Sequence, residues 1–167
     1  MGVEIERKFT VRADFCPQSA GTEMAQGYLS RDPQRTVRVR LAGGRGYLTV
    51  KGETRGMVRA EYEYEIPPSD ARAMLALCDP PLVEKTRYVV DAAGRRWEVD
   101  VFHGANDGLV VAEVELPSET AEVTLPAWVE REVTGEKRYY NSSLIVHPYH
   151  SWTAEEKSGY PRVPVEK

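Results

Sequence analysis

The chain has 167 residues, of which 41% are hydrophobic and 29% charged, and a formal net charge of −4. That length and balance describe one soluble domain able to bury a core, and the acidic surplus excludes a general nucleic-acid binder. No apolar run is long enough to span a bilayer, no charged-then-apolar leader opens the chain, and Cys16 and Cys78 are too few for a zinc site or disulfide framework, which points to the cytoplasm.

The first stretch, Glu4-Ile5-Glu6-Arg7-Lys8-Phe9, reads as a strand with Glu4, Glu6 and Lys8 on one face and Val3, Ile5 and Phe9 on the other. Residues 10–24 read as a connection around Pro17 and Gly21, and 26–30 as a short strand closed by Asp32-Pro33. Residues 36–41 alternate, with Val37, Val39 and Leu41 opposite Arg38 and Arg40. The turn 42–46 then leads to a return strand carrying Thr49, Lys51 and Glu53 on one face. Residues 57–67 place Glu61, Glu63 and Glu65 against Tyr62, Tyr64 and Ile66. Ser69 caps a short helix over 70–77 that ends before Pro80-Pro81.

Residues 84–91 form the next strand, with Lys85 and Arg87 in phase. Ala93-Gly94 turns it back into 96–102, where Glu98 and Asp100 alternate with Trp97, Val99 and Val101. Asn106-Asp107-Gly108 turns again into 109–116, with Glu113 and Glu115 on one face. A short helix is expected over 118–123 and a terminal helix over 135–145, while 128–133 has no clear type. From His147 onward periodicity is lost, so the division is a domain over 1–146 and a poorly ordered tail over 147–167.

Eight strands in mostly hairpin order predict a mainly β fold, an antiparallel barrel or two-sheet sandwich with a few flanking helices. The in-phase charges number six cations (Lys8, Arg38, Arg40, Lys51, Lys85 and Arg87) and seven carboxylates (Glu4, Glu6, Glu61, Glu63, Asp100, Glu113 and Glu115). Turned outward they are a solvated face; turned inward they make a polar tunnel, and alternation alone does not choose. A tunnel of both signs suits a mixed ligand. Arg forks and Lys ammoniums grip polyphosphate oxygens, and carboxylates hold Mg2+ or Mn2+, hard cations that bridge to phosphate. The chemistry that follows is phosphoryl or nucleotidyl transfer.

The ExExK run Glu4-Ile5-Glu6-Arg7-Lys8, with Arg38-Val39-Arg40, Lys51, Glu61-Tyr62-Glu63, Lys85-Thr86-Arg87, Asp100 and Glu113-Val114-Glu115, resembles the CYTH superfamily of triphosphate tunnel metalloenzymes across 1–146. The resemblance implies an eight-stranded antiparallel β-barrel forming a charged triphosphate tunnel with Mg2+ or Mn2+. The stretches Gln26-Gly27-Tyr28-Leu29 and 84–88 look most like the short bacterial inorganic triphosphatases. In that subgroup a Lys–Tyr pair helps activate water, a role that would fall to Lys8 and Tyr28. Lys8, Arg38, Arg40, Lys51, Lys85 and Arg87 would bind phosphate, and the seven carboxylates would hold metal or orient cations and water. Glu4, Glu6, Glu113 and Glu115 are the first choices for metal contact. The expected partner is a small-molecule triphosphate, not nucleic acid or membrane. Alternatives are a class IV adenylyl cyclase, a thiamine triphosphatase and a non-catalytic polyphosphate-binding module.

Other residues read as scaffold. Glu53, Glu65 and Glu98 should face solvent, and Tyr62, Tyr64, Trp97 and Phe102 should line the outer wall beneath helices. Cys16 and Cys78 should be small buried groups. His147 and His150 should sit in a solvated tail, and Lys137 and Arg138 either near the tunnel mouth or on the surface.

Overall fold

Charged and apolar side chains alternate along most of the chain, so each strand has one face for water or ligand and one for packing. The computed structural model describes residues 2–158. Eight strands close into an antiparallel barrel: β1 (Gly2–Val11), β2 (Thr22–Ser30), β3 (Thr36–Ala42), β4 (Arg45–Lys51), β5 (Val58–Ile66), β6 (Val83–Ala92), β7 (Arg95–Phe102) and β8 (Val110–Glu115). Their order around the wall is β5-β4-β3-β2-β6-β7-β8-β1, and β1 pairs back to β5. A ninth strand, β9 (Val129–Glu132), lies outside the barrel on β1. Three short helices follow the chain: α1 (Pro68–Leu75), α2 (Ser143–Val146) and α3 (Ala154–Ser158).

Apolar residues of the outward faces are covered in two places. Helix α1 lies on β3 and β4, where Ala71, Leu75 and Cys78 pack with Val39, Leu41 and Leu48. Gly46 permits that seat, since a Cβ there would stand 2.7 Å from the Ala71 methyl. On the far side Phe9, Trp97, Val99 and Val114 form a second cluster beneath Trp128 and Val129. With the apolar faces packed outside, the inward rows can be polar.

A third cluster plugs one end of the barrel. Tyr28, Val83, Phe102 and Val111, all on inward rows, meet Tyr139, Leu144, Ile145 and Trp152 from the chain's last part. The opposite end, around the Ala93-Gly94 turn, is open. Both turn residues have positive φ, 51° and 74°, as a two-residue hairpin demands.

Several expectations need correction. Strand β2 begins at Thr22, four residues before the expected start. Residues 118–123 form no helix, and 135–145 is not one helix but a 3-10 turn (Lys137–Tyr139) followed by α2; Gly135, at φ 78°, sets off the first. Tyr62 and Tyr64 face outward but are exposed, because no helix covers β5 there. Phe102 is not on the outer wall: it shares phase with Glu98 and Asp100 and points inward. Cys16 is exposed and Cys78 buried.

Residues 147–158 pack rather than trail. Trp152 is buried and meets Tyr139 edge-on at 5.1 Å between ring centroids. His147 Nε2 donates to the Glu156 carboxylate at 2.9 Å, and the ring stacks on Trp152. Periodicity could not reveal this, since one aromatic anchor in a short turn has no period. The remainder of the expected loose tail, 159–167, lies outside the described residues.

Candidate active site

The inward rows converge on a cavity of about 660 Å³ at the open end of the barrel. Antiparallel register sets cations opposite carboxylates: Lys8 faces Glu113, Lys51 faces Glu61, and Arg87 faces Asp100. Such pairs are favourable across a strand, and they order the interior without ligand. Deeper in, the space narrows to a pocket of about 50 Å³ among Tyr28, Arg38, Arg40, Lys85, Tyr140 and Asn141.

The two signs are not evenly mixed. One wall, from β3, β6 and β7, is cationic around a single buried carboxylate. Asp100 is 2% exposed and accepts from Lys85 Nζ at 2.7 Å and from Arg87 Nε and Nη2 at 2.8 and 2.9 Å. Burial disfavours its charge, but Lys85 and Arg87 outweigh that and hold the carboxyl far below the usual range. Lys85, 1% exposed, is pulled down to about 7 by burial, with Asp100 opposing and Arg87 and Arg40 adding to the fall. Arg40 is pulled down to about 9 by burial and then by Arg38 and Arg87. Its Nε donates to Gln26 Oε1, at 2.9 Å. Arg38 reaches Thr49 at 3.2 Å and Glu63 at 3.4 Å, yet among the described residues its buried Nε has no partner. A buried donor left open beside crowded cations suits an anionic ligand.

The facing wall, from β1, β5 and β8, is acidic. Burial, then Glu113 and Glu4, push the Glu6 carboxyl well up. Burial raises Glu61 against the pull of Lys51, and burial with Glu4 and Glu98 raises Glu115. Burial acts to raise Glu4, but Lys51, 3.1 Å away, and a hydrogen bond with Glu6 together bring it below the usual carboxylate range. Glu113 is drawn to about 2, burial being overcome mainly by Lys8 at 3.4 Å. Among the described residues no three acidic, His or Cys side chains are grouped as a ready-made metal cage. Mg2+-type cations need none, since they take one or two carboxylates and complete their shell with water and substrate phosphate. The under-neutralised carboxylates around Glu6 fit such an ion.

Every residue of the expected site lies on an inward row, and fourteen strand positions share one interior. Lys8 and Tyr28 are both buried, but among the described residues they do not hydrogen-bond each other. Lys8 Nζ is held by Glu113 and the Tyr139 carbonyl, and Tyr28 Oη accepts from Gln26. Burial lowers Lys8, but Glu113 and Glu6 raise it further, so its proton is retained.

Some lining residues escaped the sequence. Glu98 does not face solvent: it lines the cavity and pairs with Arg87. Gln26, Thr49, Arg59 and Arg96 also line or order the interior. Each was legible, being in phase with Tyr28, Lys51, Glu61 and Asp100. Asn141 was not: it lies in an irregular segment and accepts from Lys85 at 3.0 Å and Gln26 at 3.2 Å. Glu53 and Glu65 are exposed, as expected.

A closed barrel that turns opposed rows of charge inward defines a family of tunnel proteins. The CYTH domain family matches residues 2–149, and the chain belongs to it. It is 50% identical over 151 residues to the inorganic triphosphatase of Acetivibrio thermocellus, covering 89% of this chain and 97% of that protein. It is 36% identical over 147 residues to the inorganic triphosphatase of Nitrosomonas europaea, covering 86% and 97%. A crystal structure described as that of an inorganic triphosphatase superimposes with a TM-score of 0.63 at 35% identity, over 86% of this chain and 97% of the other.

Proposed function

We propose that this protein is an inorganic triphosphatase that hydrolyses tripolyphosphate to pyrophosphate and orthophosphate within the barrel. The observation that carries the reading is the split interior: a cationic wall with an orphaned Arg38 Nε faces a carboxylate wall around Glu6. The names of two relatives that span almost their whole length with this chain support the same reaction.

In this reading Arg38, Arg40, Lys51, Lys85 and Arg87 bind the phosphate oxygens. Arg forks orient the chain of phosphates, and the buried charges stabilise the transferring group more than they could in water. Lys8 is a charged donor to phosphate, because its proton is held by Glu113 and Glu6. Tyr28 stands at the floor beside Gln26 and orients water or phosphate through its hydroxyl. Asp100 binds no metal; it is a positioning residue that keeps Lys85 and Arg87 aimed inward. Glu4, Glu6, Glu113 and Glu115 would hold Mg2+ or Mn2+, with Glu61 and Glu63 orienting Lys51 and Arg38. Bound there, the ion would neutralise phosphate charge and lower the pKa of a water.

The test is product identification. Pure protein is incubated with tripolyphosphate, ATP or thiamine triphosphate, with Mg2+, with Mn2+ and with chelator. Metal-dependent release of phosphate from tripolyphosphate in preference to the others is expected. Cyclic AMP from ATP, or tight binding without turnover, would overturn the proposal.

A further inference from the structure

Behind the tunnel floor lies a groove of about 230 Å³ that the reaction as described does not use. Arg31, Arg59 and Lys137 border it, with hydroxyls from Thr36, Ser142 and Ser143. Its acid, Glu53, is exposed and is drawn toward Arg55 at 4.0 Å. Arg31 is paired with Asp79 at 3.5 Å, so on a chain of net charge −4 the local excess rests on Arg59 and Lys137.

Arg59 links the groove to the tunnel. It is on an inward row of β5, two residues before Glu61, and lines both the narrow deep pocket and the groove. Thr36, Tyr140 and Ser142 are shared between the two spaces as well. Arg59 Nε donates to the Gly52 carbonyl at 2.6 Å and Nη2 to Thr36 Oγ1 at 2.8 Å. Both partners are neutral, and among the described residues neither Arg59 nor Lys137 has a carboxylate within ion-pair distance. Thr36 spends its own hydroxyl proton on the Asp32 carbonyl at 3.1 Å, but two cations without counter-charge, the Ser142 and Ser143 hydroxyls and a concave wall recognise a small, multiply charged oxyanion.

We propose that this groove is an orthophosphate-binding subsite, with Arg59 and Lys137 as its cationic ligands, which receives the phosphate released at the tunnel floor. The second half of that statement rests on the triphosphatase reading; the first does not. The groove is too small and too enclosed by the 140–143 segment to duplicate the open mouth, so a single phosphate is its ligand.

The test separates the two. Orthophosphate is titrated calorimetrically into the full chain in chelator, with tripolyphosphate saturating the barrel. One orthophosphate should still bind. Lys137→Glu, at an exposed position, should weaken it about tenfold or more, the loss of one charge-assisted contact, and Arg59→Gln should do the same. Complete displacement of orthophosphate by tripolyphosphate, or affinity indifferent to Lys137→Glu, overturns the subsite. With turnover running, orthophosphate should inhibit noncompetitively against tripolyphosphate, and purely competitive inhibition would overturn it too. Absence of tripolyphosphate hydrolysis in the metal-loaded enzyme would sink the triphosphatase reading alone, because the calorimetric stoichiometry needs no turnover.

Discussion

Asp100→Asn tests whether the single acid of the cationic wall positions cations or holds metal. The amide keeps shape and one acceptor but removes the charge that Lys85 and Arg87 share, at 2.7 to 2.9 Å and almost wholly out of water. Removing one partner from a buried ion pair costs about 3–5 kcal/mol. The retained carbonyl places this variant near the lower end, about 3 kcal/mol. For a chain of this size, 1 kcal/mol moves Tm by about 2–4 °C, so a fall of roughly 6–12 °C is expected at pH 7. The difference should depend on pH in one direction. Asp100 is depressed in the folded state, so its stabilisation is complete above the unfolded aspartate pKa of about 3.9 and is lost progressively below it. Wild type and variant melting curves should therefore converge as pH falls below about 4. Lys85, already near 7, should lose its proton more readily, raising KM for tripolyphosphate at neutral pH. The assay is thermal unfolding from pH 3 to 8, with Mg2+ titrations of activity. A variant that melts with wild type yet needs far more Mg2+ would refute the positioning role and make Asp100 a metal ligand.

The same geometry makes three more predictions. Lys8→Ala should cut kcat by about 10²–10³ while circular dichroism stays native, because Glu113 keeps Arg87 and Lys85 nearby; unchanged turnover would remove Lys8 from the reaction. Glu6→Gln should raise the Mg2+ concentration needed for half-maximal activity by about 10-fold or more, the order seen when a group supporting a metal is lost, and an unchanged metal titration would exclude Glu6 as a ligand. Trp152→Ala should cost about 3–5 kcal/mol in urea unfolding, since the indole closes the end of the barrel against Tyr139 and Tyr149. An unchanged urea midpoint would mean the last segment is not part of the core.

Alternation carried most of the fold because strands have a short, strict period. Residues such as Arg38 and Arg40, two apart on β3, reveal their shared face without any tertiary knowledge. What alternation lacks is the sign of curvature, so the sequence alone left the charged rows free to face solvent. Glu98 shows a second limit. Nearness to a strand end suggested exposure, but β7 begins at Arg95, and the barrel wall extends past Glu98 to the mouth. Tyr62 and Tyr64 show a third, since apolar character does not say whether a helix reaches that stretch of wall. Asn141 and Trp152 were out of reach because their positions follow from how an irregular segment folds back over the barrel end.

The inward rows explain why a charged tunnel can have a defined depth. Along β6 the inward residues run Val83, Lys85, Arg87; along β7 they run Glu98, Asp100, Phe102; along β8 they run Val111, Glu113, Glu115. Because neighbouring strands are antiparallel, these opposite sequence orders are the same order in space: apolar at the plugged end, charged toward the mouth. The apolar tier with Tyr28 and Tyr139 is a dry floor. Lys85 rests on it, 5.5 Å from the Phe102 ring, and Lys8 rests against Tyr140 at 5.4 Å. On the β3 and β5 side the lining stays polar, with Thr36 and Arg59 leading to the groove. Against the apolar tier, though, a phosphate drawn in by the mouth cations stops where the two lysines meet it from low-dielectric surroundings. There a unit charge acts far more strongly than at the solvated rim, which is why the deepest cations, rather than the more numerous ones at the mouth, should govern turnover.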